Sequence, residues 1–166
     1  MFLKELFHIL NEKGVQYVIV GGLAMVMHGI VRLTADVDLV VSLQRDNILR
    51  FLDTMKLLGY KPRLPVKAEG LLEPETRLKW LMERNMKVFS FYNPKKPFVI
   101  LDVFIDNPID YSDLRERAQK MEFEGVEVYV AAIEDLIRLK ELSDRPQDRE
   151  DIKALRRLVN EKRPER

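Results

Sequence analysis

The chain has 166 residues, a length that suits one domain with a real hydrophobic core, and its 46% hydrophobic content is ordinary for a globular protein. It contains no cysteine, which excludes a disulfide framework and a thiolate metal site and fits a cytoplasmic setting. The net charge is only +1, but residues 61–98 hold nine Lys/Arg against four Asp/Glu and residues 99–137 hold three against ten, so the first stretch suits an anionic partner and the second a cation, unless both are simply solvated surface.

In chain order, Phe2 to Lys13 reads as a helix with Phe2, Leu6, Ile9 and Leu10 on one face, ended by Gly14. With Lys4, Glu5 and His8 inside it, this segment is expected to be neither a signal peptide nor a membrane span. Tyr17–Val20 reads as a short buried strand, Leu23–Gly29 as a helix entered through Gly21-Gly22, and Val37–Val41 as a strand. Arg45–Leu58 has Ile48, Phe51, Leu52 and Met55 at helical spacing and ends at Gly59. Pro62, Pro65 and Gly70 break the middle, before a short helix over Glu73–Met82. Lys87–Tyr92 and Phe98–Ile105 read as strands paired around Asn93-Pro94-Lys95-Lys96-Pro97, and Glu122–Val130 as a hairpin turning at Gly125. Ile133–Leu142 and Gln147–Glu161 read as helices, the second entered through Asp144 and Pro146. Residues 162–166 read as a charged tail, leaving 1–161 as one domain. Crossover units mixed with hairpins predict a mixed β-sheet with helices packed on it, of the α/β or α+β class.

Two aspartates stand out. Asp36 and Asp38 are two residues apart at a strand and so share a face, with Val37, Leu39 and Val41 on the other. Two carboxylates so placed repel each other, and burial adds a desolvation cost. Either the strand end is solvated, or a hard cation such as Mg²⁺ sits between the carboxylates and keeps positions open for phosphate oxygens. Gly21-Gly22, after a strand and opening a helix, would let backbone N–H groups approach such a phosphate. A third carboxylate on a neighbouring strand would share the metal and take the proton of a nucleophile. Asp102, inside the apolar run "VILDVFID", fills that role better than Asp106 at the strand end, where solvation explains the charge.

With these residues together, "GGLAMVMHGIVRLTADVDLVV" resembles the first motif of small prokaryotic members of the nucleotidyltransferase superfamily of the DNA polymerase beta type, in which Gly-Gly, an Arg before a Thr, and D-x-D recur. "AAIEDLIRLKELSDRPQDREDIKAL" is similar to a C-terminal segment of the abortive-infection-type nucleotidyltransferase toxins. The resemblance implies a small, mainly antiparallel mixed sheet flanked by helices, and transfer of a nucleoside monophosphate from an NTP such as ATP to a hydroxyl, with release of pyrophosphate. It implies two Mg²⁺ ions, or Mn²⁺ in their place, held by Asp36, Asp38 and Asp102, with Asp102 also the base. Gly21 and Gly22 would hold the triphosphate. The acceptor would be tRNA, a protein or a small hydroxylated molecule, and as a toxin the chain would be held by an antitoxin protein. Two departures matter. Many members have Ser after the first glycine, where this chain has Gly22, and the chain is expected to lack the further C-terminal region with which larger toxins grip an acceptor.

Lys140 continues the apolar stripe Ile133, Leu136, Ile137 of its helix, so it either snorkels or meets an anion, and the resemblance favours the NTP phosphates. Asp148 and Asp151 share a face near a helix start. They either cap that helix or orient Lys140, Arg145 or Arg32. Arg32 and Thr34 precede the D-x-D, where they would steady the carboxylates or bind phosphate, though a surface arginine fits Arg32 as well. His28 reads as packing. A fold that retains the nucleotide site and has lost turnover is the alternative to an active enzyme.

Overall fold

The structure, a computed structural model, describes residues 2–162. The helices are α1 (Phe2–Glu12), α2 (Gly21–Met27), α3 (Arg45–Leu58), α4 (Pro74–Arg84), α5 (Tyr111–Arg117), α6 (Ile133–Ser143) and α7 (Pro146–Lys162). The strands are β1 (Tyr17–Val20), β2 (Val37–Val41), β3 (Lys61–Pro62), β4 (Val88–Asn93), β5 (Lys96–Phe104), β6 (Gln119–Phe123) and β7 (Val126–Val130), with a short 3-10 helix at Ala68–Leu72. All seven strands form one sheet in the order β3-β4-β5-β2-β1-β7-β6. The β1–β7 and β2–β5 pairs are parallel and the other four are antiparallel. This is the mixed sheet flanked by helices that the sequence implied.

One sheet face is closed along its length. Val37, Leu39, Phe89, Phe91, Leu101 and Val103 point into it and are all buried. Phe51 of α3 meets Phe91 edge-on at 5.7 Å, and Trp80 of α4 lies 5.5 Å from Phe89. Farther along, Phe7 of α1 stacks on Tyr17 and meets Phe123 edge-on. The other face is covered over β1 and β2, where α5 packs on β1 and α2 on β2, so all four residues of β1 are buried. Over β4 and β5 it is half-open: Val88, Ser90, Tyr92, Ile100, Asp102 and Phe104 are only partly buried.

The helix and strand predictions hold for α1, β1, β2, α3, α6 and α7 to within a residue or two. Departures have local causes. The sequence carries no expectation for α5 or the start of β6, since α5 buries one residue, Leu114, and shows no apolar stripe. Its start is set instead by the Asp110 side chain, which accepts a hydrogen bond from the Ser112 backbone N–H at 2.9 Å. β3 has two residues, one of them Pro62, and lies on the sheet edge where a proline is tolerated. The β4–β5 turn is tighter than expected, because the Asn93 side chain accepts from Lys95 N–H and donates to Leu58 carbonyl, fixing the chain in a two-residue turn. Lys162 is the last residue of α7, and the rest of the expected tail, 163–166, lies outside the described residues. Among the described residues no helix is long and apolar enough to cross a membrane.

Phe91 is sealed between Phe51 and Phe89. Phe91→Ala is expected to cost ~3–5 kcal/mol, read as a lower urea midpoint with an unchanged slope.

Candidate active site

β1 delivers the chain to the glycine turn, and the sheet register aligns the carboxylates. Val20 pairs with Asp38, Asp38 with Asp102, and Asp102 with Ser90, so these residues form one row across β1, β2, β5 and β4. Asp38 and Asp102 are thus direct neighbours on the same face. Asp36 stands exposed just before β2, and its Oδ1 accepts from the Ile100 backbone N–H at 3.3 Å. Ser90 Oγ donates to Asp102 Oδ1 at 2.5 Å. The Arg63 backbone N–H donates to the Ser90 carbonyl at 2.9 Å, which sets Arg63 next in the row.

Burial, then the neighbouring Asp102 and Asp36, push the Asp38 carboxyl up to about 6, against a smaller pull down from Lys140 and Arg145. Burial also raises Asp102; the Ser90 hydrogen bond opposes this, Asp36 adds to it, and Arg63 opposes it. Ser90 and Arg63 were not singled out from the sequence. The small serine among bulky residues in the strand "VFSFY" was the available signal for Ser90, but its partner strand had to be known first.

The glycine turn is shaped by contact as well as by backbone freedom. Gly21 has φ +68°, and a Cβ there would overlap the Asp38 carboxylate. A Cβ on Gly22 would lie 2.8 Å from Thr34 Oγ1 and 3.6 Å from Arg32 Cζ. The space that a serine side chain at position 22 would take is therefore occupied by Thr34, whose hydroxyl stands beside the turn and donates to the Asp36 carbonyl at 3.3 Å.

Opposite the carboxylates, α6 and α7 present a cluster of charges. Lys140 Nζ donates to Asp151 Oδ2 at 2.8 Å and Asp148 Oδ1 at 3.3 Å. Arg32 Nη1 donates to Asp151 Oδ2 at 2.7 Å, and Arg145 Nε to Asp148 Oδ2 at 3.1 Å. Asp148 Oδ2 also accepts from the Arg145 backbone N–H at 2.8 Å, so it serves the local chain and the cations together. Burial is the largest single influence on both aspartates and would raise them. For Asp148 it is outweighed by hydrogen bonds from Arg145, Ser143 and Lys140, and for Asp151 by Lys140, Arg32 and Gln147, so both carboxyls lie below their ordinary range. Lys140 does not snorkel to water, since its side chain is only 13% exposed.

One cleft of about 560 Å³ is lined by Gly21, Gly22, Arg32, Thr34, Asp36, Asp38, Asp102, Lys140, Arg145 and Asp148. Asp151 lies behind it, and Asp106 is on its rim. Lys87 and Ser143 also line it, and the rest of its wall is apolar, with Leu81, Phe104, Leu136 and Leu139. His28 is buried away from this chemistry, with Nε2 2.8 Å from the Ala131 carbonyl, as packing requires. Among the described residues, no three acidic or histidine side chains are already drawn into a closed metal cage. The donor set nevertheless fits a hard divalent ion: all oxygen, two carboxylates side by side and a third next to them, with the glycine turn leaving their side open.

The family described as nucleotidyltransferase of unknown function (DUF6036) matches residues 2–161. Among solved structures, the fold is similar to that of the lincosamide antibiotic adenylyltransferase LnuA with lincomycin bound, at a TM-score of 0.62 and 15% identity over 95% of this chain and 96% of that one. It is similar also to ANT(2″)-Ia in complex with adenylyl-2″-tobramycin, at 0.57 and 13% over 96% and 86% of the two chains. A nucleotidyltransferase-type structure from Thermotoga maritima gives 0.56 and 14%, over 96% and 91%. At such identities the likeness is one of fold. No curated protein matches the sequence.

The folded Asp38 value lies above its ordinary 3.8, so its charge opposes folding. In metal-free buffer its contribution falls as pH rises from 3.8 through about 6. Asp38→Asn is expected to raise stability in EDTA at pH 7 by on the order of 1–3 kcal/mol, and Mg²⁺ to narrow the gap by stabilising the wild type more. Calorimetry of both proteins with and without Mg²⁺ checks this. Equal melting temperatures in EDTA would contradict it. Gly21→Ala is expected to leave a folded protein with impaired Mg²⁺ stabilisation, because the new methyl displaces the Asp38 carboxylate.

Proposed function

The chain belongs to the nucleotidyltransferase family DUF6036, and from that premise we propose that it moves a nucleoside monophosphate from an NTP to an acceptor hydroxyl, with Asp36, Asp38 and Asp102 as the catalytic carboxylates. The observation that carries this is the pairing of Asp38 with Asp102 across β2 and β5, in the same cleft as the Gly21-Gly22 turn and the Lys140–Arg145 cations. Mg²⁺, or Mn²⁺ in its place, would be held by the three aspartates, two ions in all, and bound there it neutralises their repulsion and the charge on phosphate oxygens.

The acceptor oxygen bonds to the α-phosphorus as the bond from that phosphorus to the β-phosphate breaks, and pyrophosphate leaves with the electron pair. The hydroxyl proton passes to Asp102. Burial and Asp36 raise the proton affinity of that carboxyl, and Ser90 holds one of its oxygens in place. Lys140, Arg145 and Arg32 face the leaving phosphates, and Asp148 and Asp151 hold those cations in position. The Gly21-Gly22 backbone and the Thr34 hydroxyl line the same end. ATP is the first donor to test, because the fold relatives LnuA and ANT(2″)-Ia are adenylyl-transferring proteins. Retention of all three carboxylates favours turnover over nucleotide binding alone. The reading as the toxin of a toxin–antitoxin pair is supported by the C-terminal motif, and growth arrest on expression of this chain by itself is its test.

Incubation with each labelled NTP, Mg²⁺ and a cell extract is expected to label one acceptor class and release pyrophosphate. Asp102→Asn and Asp38→Asn should each lower the rate by about 10²–10⁴, and Lys140→Ala should raise KM for the NTP more than it lowers kcat. NTP binding without pyrophosphate release under any acceptor would favour the non-catalytic reading.

A further inference from the structure

The sheet has two free edges, and they differ. β3 is two residues long and contains Pro62, which blunts that edge. β6, at the other end, has five residues, none of them proline, and no strand on its outer side. Glu124 and Gly125 both have positive φ, +49° and +85°, and join β6 to β7 by a two-residue turn whose flanking pair, Phe123 and Val126, is hydrogen-bonded. Alternation then turns the backbone N–H and C=O groups of Gln119 and Met121 toward β7, and those of Lys120 and Glu122 outward. Among the described residues, no backbone group reaches these outward atoms. The Lys120 and Glu122 side chains are exposed, on the face away from Phe123, which meets Phe7 of α1. Glu122 stands directly opposite Glu127 of β7, a like-charge pair at a non-hydrogen-bonded position, where side chains come closest. Lys120 meets Glu127 at 3.2 Å, and Glu122 has no ion-pair partner among the described residues.

We propose that the β6 edge is the contact between two copies of this chain, paired antiparallel about a two-fold axis at Met121. In that register Lys120 lies opposite Glu122 of the second copy, and Glu122 opposite Lys120 of the second copy. These are the two residues whose backbone groups point outward, so each of the two pairs exchanges both of its hydrogen bonds. The side chains agree with the backbone. Each Glu122 gains a lysine from the other copy, which offsets its repulsion from Glu127. An axis at residue 120 or 122 would also match outward backbone groups, but it would set Lys120 against Lys120 or Glu122 against Glu122. Charge therefore selects the one register. On the opposite face Met121 meets its own copy, with Gln119 against Phe123. A lysine on an edge strand ordinarily keeps other strands away; here the acid two residues on makes it a recognition element for this strand alone. β7 lies between β6 and the strands of the carboxylate row, so the contact does not use the cleft. It is short, and a dissociation constant on the order of 10 µM suits an interface at the small end of the specific range.

The test is sedimentation equilibrium of the whole chain from about 1 to about 500 µM, a span around that constant. A monomer–dimer equilibrium is expected. Glu122→Lys and Lys120→Glu should each weaken the dimer about tenfold or more, since each turns two attractive cross-strand pairs into two repulsive ones. The double variant Lys120→Glu/Glu122→Lys restores both pairs with their signs exchanged, and should return to within about threefold of the wild type. Lys120→Pro removes an outward N–H without touching the bonds to β7, and should weaken the dimer as well. All four variants should keep the wild-type circular-dichroism spectrum, because both side chains are exposed. A chain that stays monomeric across the range, a dimer indifferent to the single substitutions, or a double variant no tighter than the singles would each overturn the proposal.

Discussion

Asp38 and Asp102 are held as direct neighbours on parallel strands, one carboxylate against another on a half-buried face. Burial and mutual repulsion both oppose this arrangement, which is why the Asp38 carboxyl is pushed up to about 6. The sheet imposes it because the same strands are anchored from behind. Val37, Leu39, Leu101 and Val103 alternate with the aspartates and are each no more than 1% exposed. Fully burying such side chains is worth roughly 1.5–3 kcal/mol each, so four of them outweigh one repelling pair. The register that buries the apolar set is the register that juxtaposes the acids, and a one-residue slip would lose both.

The opposite wall of the cleft has the complementary problem of holding cations without burying them unpaired. Lys140 has two buried aspartates as partners, and one of these, Asp151, also holds Arg32 across 119 residues of sequence. That tie does structural work on the loop before β2. Val31 and Leu33 on either side of Arg32 are fully exposed, so the loop has little apolar burial to fix it. Its position depends on the Arg32–Asp151 ion pair and on the close fit of Thr34 against Gly22. The C-terminal helices therefore place the loop as well as lining the cleft, and a bound triphosphate would compete with Asp151 for the same cations.

The sequence disclosed the parts of this design that obey local rules. Strands β1 and β2, the long helix α3 and the paired C-terminal helices follow from apolar periodicity and from glycines at φ values other residues avoid, as at Gly59. The carboxylates were legible because charge inside an apolar strand is costly and calls for a reason. Elements with little burial of their own were not: α5 has one buried residue, and β3 has two residues in all. The choice between capping and orienting at Asp148 was undecidable from spacing, and the fold shows that one carboxylate does both. Ser90 and Arg63 were hidden for a different reason. Their relation to Asp102 is cross-strand, with register set by the whole β4–β5 hairpin, and no local pattern encodes it.

The sheet is also divided by burial along its width. Over β1 and β2 both faces are covered, and that half provides rigidity to the glycine turn and the D-x-D segment. Over β4 and β5 one face is left uncovered at some cost in burial, since Tyr92 and Ile100 remain partly in water. A fold selected for stability alone would gain by covering that face, because each exposed aromatic forgoes apolar burial. Asp102 stands on that face and also lines the cleft that holds Lys140 and Arg145. On the proposed reading, the nucleotide phosphates would lie on the charged side of the carboxylates, beside Lys140 and Arg145.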